Sequence, residues 1–149
     1  MEITGPWDRE RVDEFLTDAR VPVRIGCRTP NDAPWIVSLW FRWDGAVHCA
    51  TSANADLVDF LAYDDHVSFE VSTNDPPYKG VRGRGRATVE PDEGKDLLSA
   101  LLVRYLDGVD NPVGDRLLRP EREEVRIRID PERLHTWDYS ERMGGGDDD

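Results

Sequence analysis

Apolar positions along this chain recur in two rhythms. Trp7, Val12, Phe15 and Leu16 fall at helical spacing, which predicts a first helix over Trp7 to Ala19. Gly5-Pro6 opens it, with the proline near the first-turn position, and Asp8 and Glu10 follow where the helix dipole favours acids. Leu97, Leu98, Leu101, Leu102, Tyr105 and Leu106 repeat at three/four spacing after Pro91-Asp92-Glu93, a second strong helix. Between these, Ser52-Ala53-Asn54 can cap a short helix, Ala55 to Ala62, with Leu57, Val58 and Leu61 inward.

The remaining runs are short and extended. Strands are predicted at Val21–Cys27, Trp35–Trp43, Ala46–Thr51, His66–Ser72, Tyr78–Glu90, Glu123–Ile129 and Leu134–Tyr139. Val125, Ile127 and Ile129 alternate with charged neighbours, as a half-buried strand requires. Pro30-Asn31-Asp32-Ala33 and Asp130-Pro131-Glu132-Arg133 read as turns, and Asp44-Gly45 is a strong hairpin signal. Both faces of Trp35–Trp43 carry apolar residues, so a core covers one face and a partner or ligand the other. Gly108 to Pro120 is a loop with room for one short turn. Hairpins dominate, which predicts a mainly β, antiparallel barrel with flanking helices. One domain is expected over residues 1–142, with a disordered acidic tail over 143–149.

Composition narrows the class. The chain has 149 residues and a net charge of -12, from 20 Asp, 11 Glu, 17 Arg and only 2 Lys. Phosphates of duplex nucleic acid would be repelled over most of such a surface, so nucleic acid is not the expected partner. No apolar run is long enough to span a bilayer, and Met1 to Arg20 has no apolar export segment, so a cytoplasmic protein with no membrane association is expected. Short carboxylates hold water and salt ions, whereas Lys stems add apolar surface; the Asp-rich, Lys-poor balance points to a halophilic cytoplasm. Cys27 and Cys49 lack any metal-binding spacing and read as small buried groups, with no metal site expected.

Three stretches resemble the pyridoxamine 5'-phosphate oxidase-like family, the flavin-binding split barrels. They are Pro34 to Gly45 (PWIVSLWFRWDG) followed by Thr51 and a helix, Pro77 to Ala87 (PYKGVRGRGRA), and Val125 to Asp138 (VRIRIDPERLHTWD). In order and at this spacing they cover the chain from about Phe15 to Tyr139. The resemblance implies a six-stranded antiparallel split β-barrel that forms a homodimer, with FMN or the deazaflavin coenzyme F-420 in grooves between subunits. A dimer also suits Trp35, Trp40, Trp43 and Trp137, which are much aromatic area for so short a chain to hide.

Carried over residue by residue, the resemblance implies that Thr51 and Ser52 hold the cofactor phosphate with Arg82, and that Arg84 assists. Trp40, Phe41 and Trp137 would wall the groove. The family's lysine falls at Asp56 or Leu57, and neither is basic. Arg82, Arg84 and Arg86 share a strand face and, with Lys79 nearby, either replace that charge or pair with surface acids. Gly80, Gly83 and Gly85 point the other way and admit either a flat ring or a bend in the barrel.

His48, His66 and His135 are scattered, and no Ser-His-Asp set, phosphate loop, zinc-binding helix or calcium loop is present. That does not exclude redox chemistry, because the flavin ring performs it and the protein orients it. Two readings follow. One is an oxidoreductase that passes a hydride from reduced FMN or deazaflavin to a small conjugated acceptor. The other is a non-catalytic dimeric binding module whose cofactor site has decayed, or a haem-binding split barrel using His48 or His135.

Overall fold

A computed structural model describes residues 1–143. Its eight strands form one curled sheet. They are β1 Glu2–Thr4, β2 Val23–Arg28, β3 Pro34–Leu39, β4 Arg42–Trp43, β5 Val47–Ser52, β6 His66–Ser72, β7 Lys79–Pro91 and β8 Glu124–Asp138. The helices are α1 Arg9–Asp18, α2 Asp56–Tyr63, α3 Asp96–Leu106, α4 Pro112–Leu117 and α5 Ser140–Met143. No helix among the described residues is long and apolar enough to cross a membrane. Residues 144–149, most of the expected acidic tail, lie outside the described residues, and Met143 ends α5.

Strand order is β3-β2-β6-β7-β8-β5-β4, with β1 added in parallel to β8. The two ends of this order, β3 and β4, are consecutive in the chain. The expected strand Trp35–Trp43 is therefore interrupted: Trp40 and Phe41 carry the backbone from one edge of the sheet to the other. The reason is the sheet's curl, since a strand that must pair with β2 on one side and β5 on the other breaks where it changes neighbour. Counting this strand once leaves seven, where six were expected. Gly45, at φ +100°, turns β4 back onto β5, with Trp43 opposite Val47.

A second expectation is corrected at Asp130–Arg133. There is no turn there; β8 runs unbroken from Glu124 to Asp138. Its pairing with β7 slips between Arg84↔Arg133 and Gly85↔Pro131, which leaves Glu132 as a bulge residue. A side chain on Gly85 would lie 2.1 Å from the Asp130 carbonyl oxygen. Gly85 is thus the close backbone approach that lets a proline-containing segment remain in the strand.

Helix ends also differ from expectation. Asp8 caps α1 by accepting a 2.9 Å hydrogen bond from the Arg11 N–H, so the helix starts after it. Ala55 caps α2 without a side-chain bond, while the Ser52 hydroxyl accepts from the Asn54 N–H at 3.2 Å. The segment read as a loop over Gly108–Pro120 contains α4, capped by Asn111, whose side chain accepts from the Gly114 N–H at 2.7 Å.

The core fills the barrel and the wedge beneath α1 and α2. Phe41, Ile25, Ile127, Ile129, Leu134, Leu16 and Leu57 are within 2% of full burial. Each such side chain contributes about 1.5–3 kcal/mol of transfer free energy. Cys27 and Cys49 are buried free thiols, and burial pushes both upward from the ordinary thiol range.

Candidate functional site

The sheet curls so that β3 and β5 come close, and a cavity of about 490 Å³ lies at that seam. Its polar wall is Ser38, Thr51 and Ser52, together with Arg116, Arg122 and Glu124. Its apolar wall is Trp40 with Leu98, Leu101, Val113 and Leu117 from α3 and α4. Size and lining match a small-molecule site: mostly apolar, with a few convergent polar groups. Trp40 is fixed by stacking on Tyr105, with ring centroids 5.2 Å apart and 8° between planes. The Tyr105 hydroxyl donates to the Val21 carbonyl at 3.0 Å and accepts from the Phe41 N–H at 3.3 Å, which pins the interruption between β3 and β4 to α3.

Ser52 pairs across the ladder with Glu124 of β8. The Glu124 side chain is 2% exposed and accepts a 3.2 Å hydrogen bond from Arg122. Burial raises its carboxyl above the usual range, partly offset by Arg122. Arg122 spends Nη2 on this bond, while its Nε is buried with no partner among the described residues.

The second half of the expected site lies elsewhere. One outward row of the sheet runs Ser38–Arg24–Glu70–Arg82–His135 across β3, β2, β6, β7 and β8. Arg82 therefore stands three strands from Ser38, about 14 Å at ordinary strand spacing. It opens on a different hollow of about 250 Å³, shared with Arg24, Ile36, Ser68 and Glu70. Its guanidinium lies 5.1 Å over the ring of Trp137. Within one chain, Thr51, Ser52 and Arg82 are not placed to hold the same phosphate.

Other assignments sort as follows. Arg86 pairs with Asp65 at 2.8 Å, the surface-pairing role, whereas Arg84 is exposed with no ion pair among the described residues. Phe41 is fully buried in the core and walls no groove, which corrects its expected role. Leu57, at the family's lysine position, is 2% exposed and belongs to the core, and Asp56 is exposed. A side chain on Gly83 would meet the Arg133 carbonyl oxygen at 2.6 Å, and one on Gly80 the Trp137 ring at 2.8 Å. These glycines serve close approach inside the sheet, leaving no bed for a ring. His48 is buried and bonded to Asp44 at 2.8 Å, and His135 is bonded to Thr4 at 2.8 Å.

Sequence reading missed Arg116 and Arg122 because they fall between the second and third motifs, in a stretch without hydrophobic rhythm. The asparagine before Pro112 was the available signal, an N-cap followed by a first-position proline.

No family model matches the sequence, and no curated protein matches it. Solved structures do. A conserved hypothetical protein from Mycobacterium tuberculosis superposes with a TM-score of 0.74 at 21% identity, covering 90% of this chain and 86% of that one. A structure described as an F420 reductase gives 0.67 at 22% identity, covering 81% and 94%. A pyridoxamine 5'-phosphate oxidase-related, FMN-binding protein from Nostoc punctiforme gives 0.58 at 13% identity, covering 87% and 79%. Strand order, the interrupted strand at the seam and these superpositions together give the chain the split-barrel fold of the pyridoxamine 5'-phosphate oxidase-like proteins.

Proposed function

We propose that this protein is a split-barrel oxidoreductase that binds FMN or the deazaflavin coenzyme F-420 and passes a hydride to a small conjugated acceptor. The observation that carries the reading is the seam cavity, where the hydroxyls of Thr51 and Ser52 and the face of Trp40 line one flavin-sized space. Proteins described as an F420 reductase and as FMN-binding share the fold. Both candidate cofactors are long molecules. With its phosphate at the seam, such a cofactor would find Ser38, Ile36, Arg24 and Arg82 as the residues available to its ring.

Ile36 supplies the motive for a homodimer. It lies mid-strand, points outward and is 67% exposed, beside a further hollow of about 700 Å³ lined by Gly26, Trp35 and His66. A second protomer laid on this face would cover Ile36, exclude water from the ring and complete the groove that the seam begins. An obligate interface of this kind buries at least about 2,000 Å² in total.

The bound ring supplies the redox chemistry, donating a hydride when reduced. The chain's own residues bind and orient it. Thr51 and Ser52 would donate hydrogen bonds to its phosphate oxygens, Trp40 would pack against it, and α3 with α4 would cover that end.

The test is a titration of purified protein with FMN and with F-420, read by fluorescence quenching, alongside light scattering for the oligomer. Micromolar or tighter binding of one of them by a dimer supports the reading. Binding of neither overturns it. Binding with no turnover of any conjugated acceptor leaves the binding module, which the apolar Leu57 at the family's lysine position favours.

A further inference from the structure

The seam cavity needs a source of positive charge, and neither the absent lysine nor Arg82 is placed to supply it. We infer that Arg116 of α4 and Arg122, just before β8, form an oxyanion site with Thr51 and Ser52, and that its ligand is a phosphate group. The inference rests on the cofactor reading only for what the phosphate is attached to.

Three observations converge on it. Arg116 and Arg122 line the same cavity as Thr51 and Ser52. Arg116 makes no ion pair or side-chain hydrogen bond among the described residues, in a chain where carboxylates outnumber cations 31 to 19. An arginine left single on so acidic a surface is a free donor fork, the geometry that meets phosphate oxygens two at a time. The Arg122 Nε is buried and unpartnered, a donor already stripped of water with nothing to bond.

Glu124 explains how Arg122 is held. Its carboxylate accepts from Nη2 at 3.2 Å, leaving Nε unspent. It also sets the charge of the site. Arg122 and Glu124 cancel, and Arg116 leaves one positive charge at the mouth. That charge, with the two hydroxyls and Nε, suits a single phosphate and is too little for a polyanion.

Removing Arg122 alone would strand the buried Glu124, so the informative variants are Arg116→Ala, Arg116→Glu and the double change Arg122→Gln with Glu124→Gln. FMN and riboflavin differ only in the phosphate. Fluorescence titration should show FMN binding weakened at least tenfold by Arg116→Ala, and further by Arg116→Glu, with riboflavin changed less than twofold. Inorganic phosphate should compete with FMN in the wild type and lose that power in the variant. FMN affinity within twofold of wild type in both Arg116→Ala and the double variant would overturn the inference while leaving the cofactor reading intact. If the wild type binds neither flavin, calorimetry with inorganic phosphate decides alone. Millimolar or tighter binding that Arg116→Ala abolishes keeps the oxyanion site without the cofactor, and no heat of binding removes both.

Discussion

The two sides of strand β3 are built by opposite means. On the seam side, hydroxyls from β5 meet a helical cover contributed by a remote segment, and the result is a cavity with one polar wall. On the outer side, Arg24, Arg82 and Arg84 stand in register on an open sheet face with Ser68 and Glu70 between them, and no helix covers them. Strand motifs reveal the second arrangement, because residues two apart share a face. The first depends on which loop folds over which strand, and no local motif encodes that. A family's phosphate ligands can therefore be recognised in sequence and still fail to converge in one chain.

The comparison breaks hardest at Leu57. Restoring a lysine there places an ammonium at a site that is 2% exposed. The expected outcome is a loss of about 3 kcal/mol, roughly 10 °C in melting temperature, with no gain in FMN affinity. Tighter binding by a folded Leu57→Lys protein would mean that α2 can turn its lysine toward the seam.

Salt should act on the two sides of the question with opposite signs. At a net charge of -12, self-repulsion weakens the fold in dilute buffer, so melting temperature should rise by several degrees from dilute to molar KCl. Phosphate affinity at the seam should fall over the same range through screening. A flat melting profile would remove the expectation of a halophilic protein.

Glu124 gives a smaller, pH-resolved test. Burial raises its carboxyl in the folded state, so the protonated form favours folding. That contribution is complete below the unfolded value and is lost as pH rises through the folded one. Glu124→Gln keeps the neutral shape, so its stability relative to wild type should improve as pH rises and show no such gain in acid. Melts at neutral and at acid pH measure the difference.

The smallest effect is expected at Arg82. Arg82→Ala removes an exposed contact to Trp137, worth about 0.5–1 kcal/mol. FMN affinity should change by less than about threefold. A loss of tenfold or more, read by the same fluorescence titration, would move the phosphate to the arginine face and make the site one shared between protomers.

Much of the fold was legible. Trp7 to Leu16 and Leu97 to Leu106 carry a helical period, and Val125 to Ile129 a strand period, strong enough to survive packing. The two errors of strand reading have one cause. Trp35–Trp43 was continuous in hydropathy but broken by a change of neighbour, and Asp130-Pro131 carried turn residues that a glycine on the facing strand accommodates. Both depend on what lies across the ladder. Of the seam cavity's lining, Thr51, Ser52 and Trp40 were legible in the sequence as candidates. Phe41 was not legible, because its aromatic ring suits a groove wall and a core equally.

The pairing of β1 with β8 sets a timetable for the chain. Glu2, Ile3 and Thr4 lie beside Arg133, Leu134 and His135, so β1 waits for a partner 131 positions further along the chain. Contacts that span the whole sequence are the slowest to form. β8, which pairs with β1, β5 and β7, is accordingly the piece whose docking completes the sheet. Until then β5 and β7 present unpaired edges, and the emerging chain is exposed to wrong pairing with its neighbours.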